Sequence, residues 1–420
     1  MTVRADDRPV AVQPAVAPAP GARRVLALLL LVYILNFVDR QVLGILARPI
    51  QADLGLSRTE FGAIGGLAFA LLYATAGVPL GLLADKVGRS RVIAASLAVW
   101  SGFTALCGAA SGFWSLFWCR LGVGVGEAGG TAPSYALIAE YFPPGQRARA
   151  LATYALGAPI GLAAGTLLGG AIAAAVNWRA AFVVLGLIGL IVSPLFARAV
   201  RDLPRVSTSP PPRGALALLV RKPSFWLLAF GASCASLVGY GLALWLPSVL
   251  MGANGFDLVG VSMFTGALFL VGGCAGVLAG GWMADRMGRA AHAWVPGVSF
   301  LIAAPLYAAG MSTGSSVVSF AALLVPSGLA LVWLGTVTAA VQHLVPAQMR
   351  ATASASFLLV TNLIGLGGGP LLMGHIADRL AYSLGDDALR WAALYVLGFY
   401  PIAAVLMLVA ARTLSRDWMD

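Results

Sequence analysis

Charged positions interrupt this chain only at wide intervals. Runs free of Asp, Glu, Lys and Arg span residues 61–84, 92–119, 150–178, 180–197, 223–256, 258–284, 290–349, 351–377 and 391–411. Roughly 20 apolar residues cross a bilayer as an α-helix, so these runs read as spanning helices. The 290–349 run holds two, parted by the polar turn Ser312-Thr313-Gly314-Ser315-Ser316. With the apolar stretches that carry a few internal charges, the pattern predicts twelve helices: 24–47, 59–83, 92–110, 114–140, 149–175, 179–199, 224–250, 258–283, 293–311, 316–344, 351–377 and 391–412. The fold class is an all-α membrane protein. Residues 200–222, with Pro204, Pro210-Pro211-Pro212 and several basic residues, divide it as a linker. The expected organisation is a disordered tail (1–22), a six-helix bundle (23–199), the linker (200–222), a second six-helix bundle (223–412) and a short tail (413–420).

Composition agrees with the pattern. The chain is 60% hydrophobic and 10% charged, with a mean hydropathy of +0.88, whereas soluble domains carry about 25% charged residues. The net charge of +11 does not point to nucleic acid, because the basic residues are scattered through short loops and form no basic face. Of the 27 Lys and Arg, 20 fall on the side of the N-terminus and five on the other, with Arg40 and Arg120 inside spans. That bias places both termini in the cytoplasm. Residues 1–22 lack an apolar core followed by a cleavage site, so no cleavable signal is expected. Cys107, Cys119, Cys234 and Cys274 sit in apolar segments without metal-type spacing and read as small buried hydrophobes. No metal or cofactor is expected.

The two halves repeat. Gly81-Leu-Leu-Ala84-Asp85-Lys86-Val-Gly88-Arg89 returns 200 residues later as Gly281-Trp-Met-Ala284-Asp285-Arg286-Met-Gly288-Arg289. Pro144-Gly-Gln146-Arg-Ala-Arg149 has a looser echo in Pro346-Ala-Gln348-Met-Arg350, and a weaker echo of the acidic turn is Gly374-His-Ile-Ala-Asp378-Arg379. A duplication of this kind places a substrate site near the midplane between the halves.

These features resemble the major facilitator superfamily: the Gly-x-x-x-Asp-basic-x-Gly-Arg loop after the second helix, its copy after the eighth, and two sets of six helices. The resemblance covers about residues 23–412. Within it, Leu35-Asn36-Phe37-Val38-Asp39-Arg40, Arg120-x6-Glu127-Ala128-x4-Pro133-Ser134, Asp53-Leu54-Gly55-Leu56-Ser57 and Pro159-Ile160-Gly161 are similar to the spinster-like branch. The Asp-Arg pair and the Arg-to-Glu spacing also occur in organic-anion:proton symporters of the superfamily. The resemblance implies a multi-pass transporter of a bacterial inner membrane, working by alternating access and able to act as a monomer. It also implies a conformational latch at the acidic turns, with Asp85, Lys86, Arg89 and Glu140 in the first half and Asp285, Arg286 and Arg289 in its copy.

Asp39, Arg40, Arg120 and Glu127 are the chemistry-bearing residues, because charges at membrane depth are costly and functional candidates. Arg120 and Glu127 are seven apart, so a helix places them within about 20° on one face and roughly 10 Å apart. Contacts Asp39···Arg120 and Arg40···Glu127 are both geometrically allowed. A carboxylate in a low-dielectric cavity can take up a proton when its guanidinium partner leaves, which makes Glu127 and then Asp39 the expected proton sites. Arg40 and Arg120 suit a phosphate or carboxylate. The alternative is a fixed ion-pair cluster that joins helices 1 and 4.

The second half has no Asp, Glu, Lys or Arg at membrane depth; His343 and His375 read as loop-edge residues. Ser233, Ser236, Tyr240, Trp333, Thr361 and Asn362 are its polar or aromatic candidates, with Tyr240, Trp333 and Asn362 expected to line the substrate site. A charged half facing an apolar half suits an amphipathic substrate of lysophospholipid or sphingoid-phosphate type. Protons and membrane lipids are the other expected partners, and nucleic acid is not. The competing reading is a proton symporter of small organic anions such as sugar acids. An intramembrane enzyme is disfavoured, because no His-Glu-x-x-His motif occurs and no Ser/His/Asp set converges at one depth.

Overall fold

The computed structural model describes residues 17–203, 215–346 and 349–419. Most of the expected N-terminal tail (1–16) and of the expected linker (204–214) lies outside the described residues, as does the side chain of Asp285. Among the described residues all twelve expected spans are helical and none forms a strand. They are α1 (Ala22–Ile45), α2 (Arg58–Val87), α3 (Arg89–Cys107), α4 (Phe113–Ala128 continued by Thr131–Tyr141), α5 (Pro144–Ala155 and Gly157–Ala175) and α6 (Trp178–Ala199). The second half repeats the order as α7 (Pro223–Asn254), α8 (258–287), α9 (Ala291–Ser312), α10 (Ser316–Leu329 and Trp333–Gln342), α11 (350–384) and α12 (Ala388–Val396 and Phe399–Asp417).

Two ends depart from the expected boundaries. Ala19 N–H donates to Tyr141 O at 2.9 Å, so the end of the expected N-terminal tail is docked on α4. The expected C-terminal tail, 413–420, is helix through Asp417, whose carboxylate accepts from Ser224 Oγ at 2.7 Å. Trp418 then stacks on His343 at 4.3 Å and Met419 N–H donates to His343 O at 2.7 Å. Partners at the start of α7 and just after α10 thus hold a segment that is short and polar enough to read as loose.

The single expected helix 114–140 is broken at Gly129-Gly130, whose N–H groups bond to Gly126 O and Glu127 O three residues back. A Cβ at Gly129 would lie 2.1 Å from Ser96 Oγ, and one at Gly126 would lie 2.5 Å from Trp100 N. The break therefore lets α3 approach α4 directly beside Glu127.

α1 is fixed against α5 by a stripe of glycines at 157, 161, 165 and 169. A Cβ at Gly161 would lie 2.5 Å from Ile34 O, and one at Gly165 2.8 Å from Val38 O. Stripes of small residues at four-residue spacing let spanning helices pack backbone to backbone. This one sets the depth and rotation of Asp39 and Arg40.

The halves meet through α1–α7, α2–α11 and α5–α8. Their polar contacts gather on the face opposite the termini, where Gln41 Nε2 donates to Ala243 O (3.2 Å) and Arg48 to Ser248 O (2.8 Å). Toward the face that carries the termini, Val78, Leu82, Leu83 and Val87 of α2 and Leu358 and Leu359 of α11 are exposed.

Candidate functional site

Arg40 Nε donates to Glu127 Oε2 at 2.8 Å, with side-chain exposures of 11% and 0%. The guanidinium lies over three rings, 4.7 Å from the centroids of Phe69 and Tyr73 and 5.1 Å from Phe37. Tyr73 and, from the other half, Tyr240 turn their phenols to the same group. Cation–π contacts of a desolvated guanidinium contribute about 2 kcal/mol, so this cage partly replaces the water that Arg40 has lost. Phe69 and Tyr73 reach it because α2 carries a π turn, Ile64–Ala68, immediately before Phe69. Single π turns inside helices recur at functional sites.

Arg120 is more fully buried than Arg40. Its Nη1 donates to Asp39 O at 3.4 Å, its Cζ lies 5.4 Å from the Phe69 ring, and its buried Nε has no hydrogen-bond partner among the described residues. Asp39 is buried within electrostatic range of Arg120, Glu127 and Arg40, with Thr104 beside it. The second carboxylate oxygen of Glu127 (Oε1) and the Asn36 Oδ1 near it are also buried without a partner among the described residues. Of the two contacts the spacing allows, Arg40 meets Glu127 side chain to side chain, whereas the hydrogen bond from Arg120 goes to the backbone carbonyl of Asp39 and its side-chain charge is felt at a distance.

Around this cluster runs a wall of tyrosines. Tyr33 stacks on Tyr154 (4.3 Å), Tyr135 meets Tyr154 edge-on (5.5 Å), and Tyr33 meets Phe37 edge-on (5.1 Å). Spacing alone did not single out these rings, nor Tyr73 and Phe69. The available signal was the register of Tyr33, Phe37 and Arg40, which share one face of α1.

The other expected residues are placed as follows. Tyr240 joins the cage. Asn362 is half-buried and opens the π turn Asn362–Leu366, whose Leu366 packs in one cluster with Phe69. Trp333 is buried edge-on against Phe357 in the core of the second half and is not among the residues gathered at Arg40. Arg89 bonds Asp85 Oδ1 (Nη2, 3.1 Å) and pairs with Glu140, while Lys86 is exposed. In the copy, Arg286 lies over Trp282 (4.5 Å) and Arg289 over Trp418 (5.9 Å). Gly88 and Gly288 have φ of 114° and 83°, the positive values their turns require. No group of three His, Cys, Asp or Glu side chains is placed to hold a metal ion among the described residues.

Twelve helices in two repeated halves around a buried, charged cluster define a multi-pass transporter architecture. The chain belongs to the Major Facilitator Superfamily, whose sequence model matches residues 29–370. It is 34% identical over 417 residues to an MFS-type efflux pump of Mycolicibacterium smegmatis, covering 95% of this chain and 96% of that protein. It is 30% identical over 271 residues to a hexuronate transporter of Bacillus subtilis, covering 62% and 64%. Its structure resembles that of a bacterial homolog of the human lysosomal transporter spinster in an inward-facing, unoccupied conformation. That match has a TM-score of 0.84 and 28% identity, over 96% of this chain and 100% of the other.

Proposed function

We propose that this transporter couples proton movement to the passage of an amphipathic anion of lysophospholipid or sphingoid-phosphate type across a bacterial inner membrane. The observation that carries the reading is the Arg40–Glu127 pair, buried at the meeting of the halves with one oxygen of Glu127 unpartnered. A substrate anion that draws Arg40 away leaves Glu127 to take a proton, and loss of that proton restores the pair. Arg120, with a free Nε–H, is the second head-group donor. Asp39 is the second proton site. The apolar walls of α7 and α11, with Tyr240 and Asn362, face the greasy part.

In this reading the protein works as a monomer, the bundles 23–199 and 223–412 rock about the site, both termini are cytoplasmic, and Asp85, Lys86, Arg89, Glu140, Asp285, Arg286 and Arg289 form the latch on that side. A second reading, symport of a small organic anion such as a sugar acid, is favoured by the phenol groups of Tyr33, Tyr73, Tyr135, Tyr154 and Tyr240. These suit hydroxylated substrates, and the hexuronate transporter relative points the same way.

The test is internal pH in proteoliposomes of purified protein, challenged in parallel with lysolipids and sugar acids. A pH change with lysolipids that Glu127→Gln abolishes is the expected result. A response confined to sugar acids would replace the first reading by the second.

A further inference from the structure

On the face opposite the termini, the start of α2 is completed by a residue 320 positions away. Asp378, near the end of α11, accepts Arg58 N–H on Oδ1 (3.2 Å) and both Thr59 N–H (2.7 Å) and Thr59 Oγ1 (2.6 Å) on Oδ2. The helix's own cap, Ser57, serves only the next donor, Glu60 N–H, at 3.1 Å. The first backbone donors of a helix need external acceptors, and a carboxylate there is favoured by both charge and hydrogen bonding. In α2 two of those donors are met only when the two halves are together.

Glycines bring the carboxylate within reach. A Cβ at Gly374 would lie 2.2 Å from Arg58 O, one at Gly62 2.4 Å from Pro370 O, and one at Gly66 2.8 Å from Gly367 O. Gly374 precedes Asp378 by four residues, so both lie on one face of α11: the glycine admits the neighbouring backbone and the carboxylate caps it. Gly81 and Asp85 have the same spacing at the far end of α2. There, however, a Cβ on Gly81 would meet nothing within 4 Å, and Asp85 is held by Arg89 of its own half. The α2–α11 pair is therefore clasped at one end only.

We infer that Asp378 is a positioning residue of the transport cycle: capping the start of α2 from the opposite half, it is the latch that holds the face opposite the termini closed. Opening that face hands Arg58 N–H and Thr59 N–H to water and separates the glycine contacts together. The inference needs only the two-half architecture and is independent of what is carried or what drives it.

The experiment is a distance distribution by pulsed electron paramagnetic resonance. Spin labels are placed at Val176→Cys and Val317→Cys, exposed sites of the two halves on that face, with Cys107, Cys119, Cys234 and Cys274 replaced by Ala. Asp378→Ala should raise the long-distance population about tenfold, the effect of losing a charge-assisted cap. Thr59→Val should shift it less in the same direction, and Asp378→Asn, which keeps an acceptor oxygen, should fall between. Unchanged distributions in Asp378→Ala and Thr59→Val would overturn the inference. So would a lowered thermal midpoint with no shift in distance, which would make Asp378 a purely structural cap. Because the readout uses neither substrate nor protons, failure of the proposed function leaves this test intact.

Discussion

Arg40 and Glu127 share a single hydrogen bond, Nε to Oε2, rather than the two-pronged contact that guanidinium and carboxylate make when both are free to align. The rest of the guanidinium is given to the rings of Phe37, Phe69 and Tyr73. The guanidinium is thus held by rings on its faces and by one hydrogen bond at its edge, which suits a contact that is broken and remade in each cycle.

Glu127→Gln keeps the shape and an acceptor for Arg40 but cannot exchange a proton. Proton-driven flux in proteoliposomes should be lost, while counterflow exchange of substrate persists in part. Loss of both would assign Glu127 to binding or to structure.

Arg120→Ala removes a buried donor without touching the Arg40–Glu127 bond. Affinity for an anionic substrate should fall about 10–100-fold, in line with losing a hydrogen bond to a charged group. A neutral analogue should be affected much less. Calorimetric titration of both ligands checks this, and equal losses would count against head-group recognition.

Gly161→Val places a branched side chain where Ile34 O and Phe37 Cβ already lie within 2.6 Å of an added Cβ. Overpacking of this kind costs about 1–3 kcal/mol. Because α1 must yield, the Arg40 register should shift as well. The expected outcome is a lowered thermal midpoint in detergent, together with flux lost out of proportion to it. The same substitution at Gly102, which nothing approaches within 4 Å, should be nearly silent.

Asp53 carries a pH signature away from the bilayer. Hydrogen bonding from Arg179, with a further bond from Trp178 Nε1, holds its carboxyl below the usual carboxylate range. A depressed folded-state value means stabilisation that is complete above the unfolded value, about 3.9, and is lost as the pH falls through the folded one. Melting curves between pH 6 and pH 3 should show Asp53→Asn losing less stability on acidification than the parent. The effect is small, because the pair is exposed. Identical acid limbs would remove Asp53 from the account.

The number of helices and the four membrane-depth charges were legible in the sequence, because hydropathy and isolated charges are local signals. That Arg40 would select Glu127 was not, since two pairings fit the same spacing. Tyr33, Tyr154 and Phe69 were hidden because an aromatic ring in an apolar run looks like any other buried side chain until the neighbouring helix is placed. Trp333 belongs to the same class: it packs on Phe357 in the second half, a neighbour that the hydropathy pattern does not reveal. The break at Gly129-Gly130 went unread because spanning helices tolerate glycine, so only the approach of Ser96 and Trp100 reveals its use. Asp378 was visible as an echo of the acidic turn, but its partner lay 320 residues upstream.

The π turn at Ile64–Ala68 gives α2 one residue more than a regular helix would hold between its clasp on α11 and its ring contacts with Arg40. The chain there is sensitive to length as well as to chemistry. Deleting Gly65 would remove no charge, ring or hydrogen-bonding side chain, and it would yield a smoother helix. It would also replace the wide turn by a regular one, so the rotation and rise between the Asp378 grip and the rings would change, and Phe69 and Tyr73 would no longer meet the guanidinium as they do.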